Sequence, residues 1–195
     1  TFSSEGNAAD WRASVESESE SGSTVRVTGP EAENLVFTIP LPGRFNVSNA
    51  LAMIAALATG GAAPRELVAG LAGLGGVPGR MERIESGRGF GVVVDYAHKP
   101  DAIRAVLDAL RPVTTGKLII VVGAGGDRDR GKRPVMGDIA AQIADVVIVT
   151  DDNPRTEDPA EIRAAIIAGI QHEADVHEIA GRQAAIEFAL GQAKP

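Results

Sequence analysis

The sequence predicts an α/β fold: a Rossmann-like, mostly parallel sheet, preceded by strands and helices that read as the closing part of another domain. Three observations carry this. From residue 91 onward, uninterrupted Val/Ile runs alternate with helical patterns of about 10–15 residues, as strands buried on both faces and linked by crossover helices require. Before residue 75 the pattern is different, with short β-rich segments followed by an Ala-rich apolar helix. Between the two lies Gly75-Gly76-Val77-Pro78-Gly79, whose Gly and Pro content reads as a linker. The boundary is therefore set at residues 77/78, and 195 residues allow one domain or one and a half.

Taken in order, residues 25–27 and 35–39 are β-rich and bounded by Gly, Pro and Asn, while residues 16–22 alternate Ser with Glu and read as a solvated edge or loop. Residues 46–59 (NVSNALAMIAALAT) form a helix started by Asn46 or Ser48 and stopped by Gly60-Gly61. A second helix runs over 62–74, with Pro64 near its first turn. Beyond the linker come a strand at 91–95 (GVVVD) and a helix at 100–110, then a strand at 117–122 (KLIIVV) and a helix at 134–143. The series continues with a strand at 146–150 (VVIVT), a helix at 159–170, a weaker strand at 176–179 and a helix at 182–190. In such folds ligands lie at the carboxyl ends of the strands. The loops after Asp95, Val122 and Thr150 are therefore the ones to read for chemistry.

Composition removes several function classes. No run reaches the ~18 apolar residues of a membrane span. With no Cys, a disulfide scaffold and thiolate metal sites are excluded, and a reducing compartment fits. A net charge of −7 argues against a general nucleic-acid binder. The first residues lack the basic and apolar blocks of a secretion signal, so a cytoplasmic location is expected. Residues 1–34 are the acidic part, with seven acids (Glu5, Asp10, Glu16, Glu18, Glu20, Glu31, Glu33) against Arg12 and Arg26.

The loop GAGGDRDRGKR (123–133) fails as a dinucleotide fingerprint, because position 128 is Arg. It also fails as a P-loop, because Arg133 stands where a hydroxyl belongs. What it does hold is Arg128, Arg130, Lys132 and Arg133 just before a helix N-terminus, which suits a carboxylate or phosphate. The same run also reads as a solvated loop balanced by Asp127 and Asp129. In DDNPRTEDP (151–159), Asp152 offers an acceptor, Asn153 a donor and an acceptor, and Arg155 a planar fork, a set able to recognise an amino acid. Ordinary turn chemistry with an N-cap is the alternative. In DYAHKPD (95–101), Tyr96 or His98 could stack on a base, and Asp95 could bind a ribose or hold Arg80. His172 and His177 fit no common zinc spacing and read as surface.

Taken together, GRFNVSNALAMIAAL (43–57), GVPGRMERI (76–84), VVDYAHKPDA (93–102), GAGGDRDRGKRPVMG (123–137) and TDDNPRTEDP (150–159) resemble the Mur ligases in order and spacing. The resemblance covers the whole chain, and within the family it points to the kind that adds meso-diaminopimelate to UDP-N-acetylmuramoyl-L-alanyl-D-glutamate. It implies residues 1–77 as the C-terminal part of a central ATP-binding domain and 78–195 as an incomplete amino-acid-binding domain. An N-terminal domain and a true P-loop are missing by comparison, so no ligase turnover is expected of these residues alone. By the same resemblance, Arg128, Asp152, Asn153, Pro154 and Arg155 bind meso-diaminopimelate. Asn46, Asn49 and Arg80 match ATP contacts, with Asp95 and His98 near the same nucleotide. Mg²⁺ is implied as a cofactor with its ligands mostly elsewhere, and Lys132 and Arg133 are left as loop-supporting charges. The implied reaction is ATP-driven amide formation in peptidoglycan synthesis through an acyl phosphate, with a hinge at residues 75–79. No catalytic side chain, metal ligand, nucleic acid or membrane is expected within the chain. Two rivals remain: a nucleotide-binding module, favoured if phosphate and not carboxylate binds at Gly126–Gly131, and a non-catalytic binding protein, for which charge-removing substitutions at Arg128 or Arg155 would leave function untouched.

Overall fold

The structure, a computed structural model, describes residues 1–19, 22–71, 73 and 76–194. Parts of three sequence readings fall outside these residues: Glu20 and Ser21 of the 16–22 segment, Ala72 and Leu74 of the second helix, and Gly75 of the linker. The chain divides into two compact units, Thr1–Arg83 with Val93–Asp95, and Ile84–Val92 with Tyr96–Pro195.

The first unit opens with a four-stranded sheet in the order β1 (Phe2–Ser3), β2 (Trp11–Ser19), β3 (Gly22–Gly29) and β4 (Ala32–Ile39). β1 runs parallel to β2, and β2–β3–β4 form an antiparallel meander. Period-2 alternation puts Trp11, Ala13, Val25, Val27, Phe37 and Ile39 on one face, where they are buried. Residues 16–19 form a solvated edge of the sheet within strand β2 and not a loop, because Val15 and Trp11 upstream anchor the pairing with β3 and the Ser/Glu residues extend it toward solvent. Helix α1 (Arg44–Thr59) covers the buried face with Val47, Leu51 and Ile54, and α2 (Pro64–Leu71) adds Leu71. Neither Asn46 nor Ser48 starts α1. The helix begins at Arg44, two residues before Asn46, because Gly43 adopts a φ of 100° and turns the chain there. The Asn46 side chain instead donates to the Pro42 carbonyl at 2.8 Å.

Strand β5 (Glu82–Glu85), which the sequence reading did not contain, hydrogen-bonds to β6 (Gly91–Val94) as a separate two-stranded sheet. The expected strand at 91–95 therefore exists, but it lies outside the three-stranded parallel sheet described below. Its nearest pairing partner is only a short turn upstream, and Val94 is exposed where a central strand would be buried.

In the second unit, β7 (Ile119–Val122), β8 (Val146–Val149) and β9 (Asp175–Glu178) form a parallel sheet in that order, with Ile119 opposite Val146 and Val146 opposite Asp175. Helices α3 (Pro100–Leu110), α4 (Lys132–Ile143) and α5 (Pro159–Ile167) pack with Val147 and Val149. Helix α6 (Arg182–Gln192) packs with Val146 and Ile148. β8 is thus covered on both faces, which is why it reads as four consecutive β-branched residues and not as an alternation. Helix α4 begins at Lys132, two residues ahead of the expected Pro134, which becomes its third residue. Among the described residues no helix is long and apolar enough to cross a membrane.

Candidate functional site

Two loops leave the carboxyl ends of adjacent strands in the second unit, residues 123–131 after β7 and 150–158 after β8. They are laced together. The Gly126 N–H donates to the Asn153 carbonyl at 2.9 Å, and the Arg155 Nη1 donates back to the Gly126 carbonyl at 2.7 Å. A Cβ at position 126 would stand 2.6 Å from the Pro154 carbonyl carbon and nearer still to its oxygen, so this approach needs glycine. Asp127 and Arg155 both hold left-handed backbones, with φ of 50° and 51°. One contact across the gap and one within the loop keep them there: the Asp127 carboxylate accepts the Thr156 hydroxyl at 2.8 Å and its N–H at 3.2 Å, and Arg155 N–H donates to Asn153 Oδ1 at 3.2 Å.

Beneath this lacing lies a buried ion pair. Arg133, the second residue of α4, reaches Glu157 through both terminal nitrogens, at 3.0 and 2.8 Å. The two side chains are 3% and 6% exposed. Glu157 also accepts the Asp127 N–H at 2.6 Å and pairs with the mostly exposed Arg130 at 2.9 Å. Arg133 most of all, then the Asp127 N–H, hold the Glu157 carboxyl down to about 2, against the opposing effect of burial. On the other side of the 150–158 loop, Asp151 is paired with Arg163 and accepts the Gly181 N–H at 2.7 Å. Burial pulls its carboxyl upward, but Gly181 and Arg163 outweigh this and leave it below the usual range.

The charges of the 123–133 loop can now be assigned one by one. Asp127 is taken by Thr156, and Asp129 accepts the Gly131 N–H at 2.9 Å. Arg130 and Arg133 share Glu157, and Lys132 donates to the His98 carbonyl at 3.0 Å. Arg128 is exposed and, among the described residues, has no ion-pair or hydrogen-bond partner. Arg155 spends Nη1 on Gly126 and is otherwise solvent-facing. Asp152 is exposed, 3.6 Å from Arg182 Nη2. Asn153 accepts the Gly126 N–H with its backbone oxygen and the Arg155 N–H with its side-chain oxygen, and Pro154 supplies the surface on which Gly126 rests. The two guanidinium groups left open have the chemistry to pair with carboxylates.

Residues 79–195, well over half of the chain, match the family described as Mur ligase, glutamate ligase domain. The chain belongs to the Mur ligase family. Residues 1–57 match a second description, Mur ligase middle domain. A UDP-N-acetylmuramoyl-L-alanyl-D-glutamate--2,6-diaminopimelate ligase from Streptomyces avermitilis is 49% identical over 201 residues, spanning 100% of this chain and 40% of the relative. The counterpart from Streptomyces coelicolor is 47% identical over the same shares. A solved structure carrying that ligase name superposes with a TM-score of 0.67 at 40% identity, over 99% of this chain and 39% of the other. MurF from Acinetobacter baumannii gives 0.76 at 19% identity, over 97% and 39%, a likeness of fold. The chain therefore spans about two fifths of the length of the curated relatives it matches.

The remaining Mur ligase positions singled out in the sequence lie as follows. Asn46 and Asn49 sit on α1, the first with its amide engaged on Pro42 and the second exposed. Arg80 is exposed in the turn before Met81, whose N–H is held by Asp95 Oδ2 at 2.9 Å. These four belong to the first unit and His98 to the second. The His98 Nδ1 is 3.1 Å from the Tyr96 carbonyl, and the two rings meet edge to face at 5.1 Å. Taken singly, each of these side chains is of a type that can hydrogen-bond a base or a ribose. Among the described residues no cluster of three or more His, Cys, Asp or Glu could hold a metal ion. Glu157 and Thr156 were missed as site-building residues. A count of four cations against two acids in the 123–133 loop was the available signal that an acid from another loop had to join them.

Proposed function

We propose that this chain is the amino-acid-receiving part, with the adjoining end of the central domain, of an ATP-dependent ligase of peptidoglycan synthesis. The ligase joins meso-diaminopimelate to UDP-N-acetylmuramoyl-L-alanyl-D-glutamate. The observation that carries the reading is the charge assignment: once Glu157, Thr156, Gly131 and His98 have taken their partners, Arg128 and Arg155 stay open for carboxylates. The intact DNPR sequence and the names of the relatives support the same substrate.

On this reading residues 1–77 belong to the ATP-binding domain and 78–195 to the amino-acid domain. Arg128 and Arg155 hold carboxylates of diaminopimelate, and Asp152, Asn153 and Pro154 shape the cradle. Asp152 is the acceptor closest in kind to what a substrate ammonium needs. Asn46, Asn49, Arg80, Asp95 and His98 are assigned to the nucleotide. Bound ATP would supply the phosphoryl group that makes the acceptor carboxylate reactive, and Mg²⁺ would be held by residues other than these. The chain's own contribution is to bind the amine substrate, fix its orientation and exclude alternatives, so that attack proceeds from a near-reactive geometry. A cytoplasmic setting belongs to this reading, supported by a chain free of cysteine.

The test is Arg155→Ala in the intact ligase proposed here. Loss of a charge-assisted pair worth roughly 1.5–3 kcal/mol should weaken diaminopimelate binding about tenfold to a hundredfold. Unchanged amino-acid affinity would reject the assignment.

A further inference from the structure

The buried Arg133–Glu157 pair is not itself open to a ligand, and its position explains more than local stability. Glu157 lies two residues after Arg155, and Arg133 lies five residues after Arg128. The pair thus ties together the downstream ends of the two segments that carry the open guanidinium groups. Glu157 also makes the 2.6 Å bond to the N–H of Asp127, the residue just before Arg128. Thr156, between Arg155 and Glu157, closes the same junction by holding the Asp127 carboxylate.

We propose that Glu157 is a positioning residue for amino-acid selection: by taking up Arg130, Arg133 and the Asp127 N–H together, it sets the spacing of Arg128 and Arg155. It does so without touching the substrate. This rests on the reading of the two loops as the amino-acid site. Its chemistry is subtractive as well as geometric. Glu157 cancels two cations that would otherwise compete for the substrate's carboxylates, leaving two that are fixed in place. Glutamine at 157 keeps the size of the side chain, removes the charge, and frees Arg130 and Arg133 to seek the incoming anion.

The experiment has two arms. In the 195-residue chain, hydrogen exchange is followed at the Gly126 and Asp127 amides with and without Glu157→Gln. The variant should lose protection at both while β8 stays protected. Unchanged protection would overturn the proposal. In the intact ligase, kinetics with meso-diaminopimelate should show its KM raised roughly tenfold to a hundredfold, as expected when a binding group is displaced by about an ångström. The ATP KM and the kcat at saturating amino acid should stay within about twofold. A fall in kcat with every KM unchanged would mark Glu157 as merely structural and overturn the proposal. If the parent ligase does not use diaminopimelate at all, the functional reading fails first and the proposal with it. That outcome is distinct from a parent that uses it and a variant that binds it normally. Should Glu157→Gln fail to fold, Thr156→Val takes its place: the residue is exposed, and losing its neutral hydrogen bond to Asp127 should raise the same KM about twofold to tenfold. An unchanged KM in that variant would equally overturn the proposal.

Discussion

Replacing Gly126 by Ala is a direct probe of the two-loop junction. The new methyl would start 2.6 Å from the Pro154 carbonyl carbon, whereas carbon atoms settle roughly 3.5 Å apart, so the loops must separate by about 1 Å. That movement stretches the Gly126–Asn153 bond from 2.9 Å and the Arg155–Gly126 bond from 2.7 Å beyond useful length. One neutral bond at about 0.5–1.5 kcal/mol and one charged bond at about 1.5–3 kcal/mol give a loss of roughly 2–4.5 kcal/mol. For a unit of this size that is a fall in melting temperature of about 10 °C or more. The assay is urea and thermal denaturation by far-ultraviolet circular dichroism, which follows the helices of both units, with Trp11 fluorescence reporting separately on the first unit so that the second can be read by difference. Gly116→Ala is the matched control, since a Cβ there meets open space, and it should stay within about 0.5 kcal/mol of the parent. If Gly126→Ala is as stable as Gly116→Ala, the loops are not held at this contact and the account of the junction is wrong.

Two further outcomes follow from the packing and the charges. Because Glu157 titrates near 2 when folded and near 4.5 ordinarily, its contribution to stability is complete above about 4.5 and is lost as pH falls toward 2. Urea midpoints should therefore drop across that window in the parent, and the drop should be smaller in Glu157→Gln, which is also less stable at neutral pH. Met136→Ala in α4 removes a fully buried side chain from the cluster containing Ile139, Ile162 and Ile166, and should cost about 2–5 kcal/mol in the same denaturation assay.

The parallel sheet was legible because β8 has helices on both faces, so the unbroken run Val146–Val149 had one physical reading. The crossover helices were legible from their prolines: Pro100 and Pro159 stand at helix starts, and Asp158 caps α5 through the Ala160 N–H at 2.8 Å. The strand at Glu82–Glu85 was not legible, since four residues with three charges have no apolar alternation to reveal them. Nor was the pairing of β6 with β5, because a Val run states a wish for burial and not the identity of the neighbouring strand. In the site, the open cations Arg128 and Arg155 could be named from their motifs. Their availability depends on which charges cancel across loops 24 residues apart, as between Arg133 and Glu157, and only folded coordinates reveal that.

The contrast between the two sheets bears on how the chain acquires its structure in time. β2, β3 and β4 pair with immediate neighbours along the chain, β3 ending at Gly29 and β4 starting at Ala32. Pairing of this local kind can close within roughly 1–10 μs. β7, β8 and β9 cannot meet until α4 and α5 have been threaded between them, so each strand waits for a distant partner. Such non-local pairing slows folding by orders of magnitude at similar stability. The loops that carry Arg128 and Arg155 sit at the ends of these late-meeting strands. The junction of these two loops is thus expected to assemble late, and the fluorescence of Trp11, buried in the meander, should change before it forms.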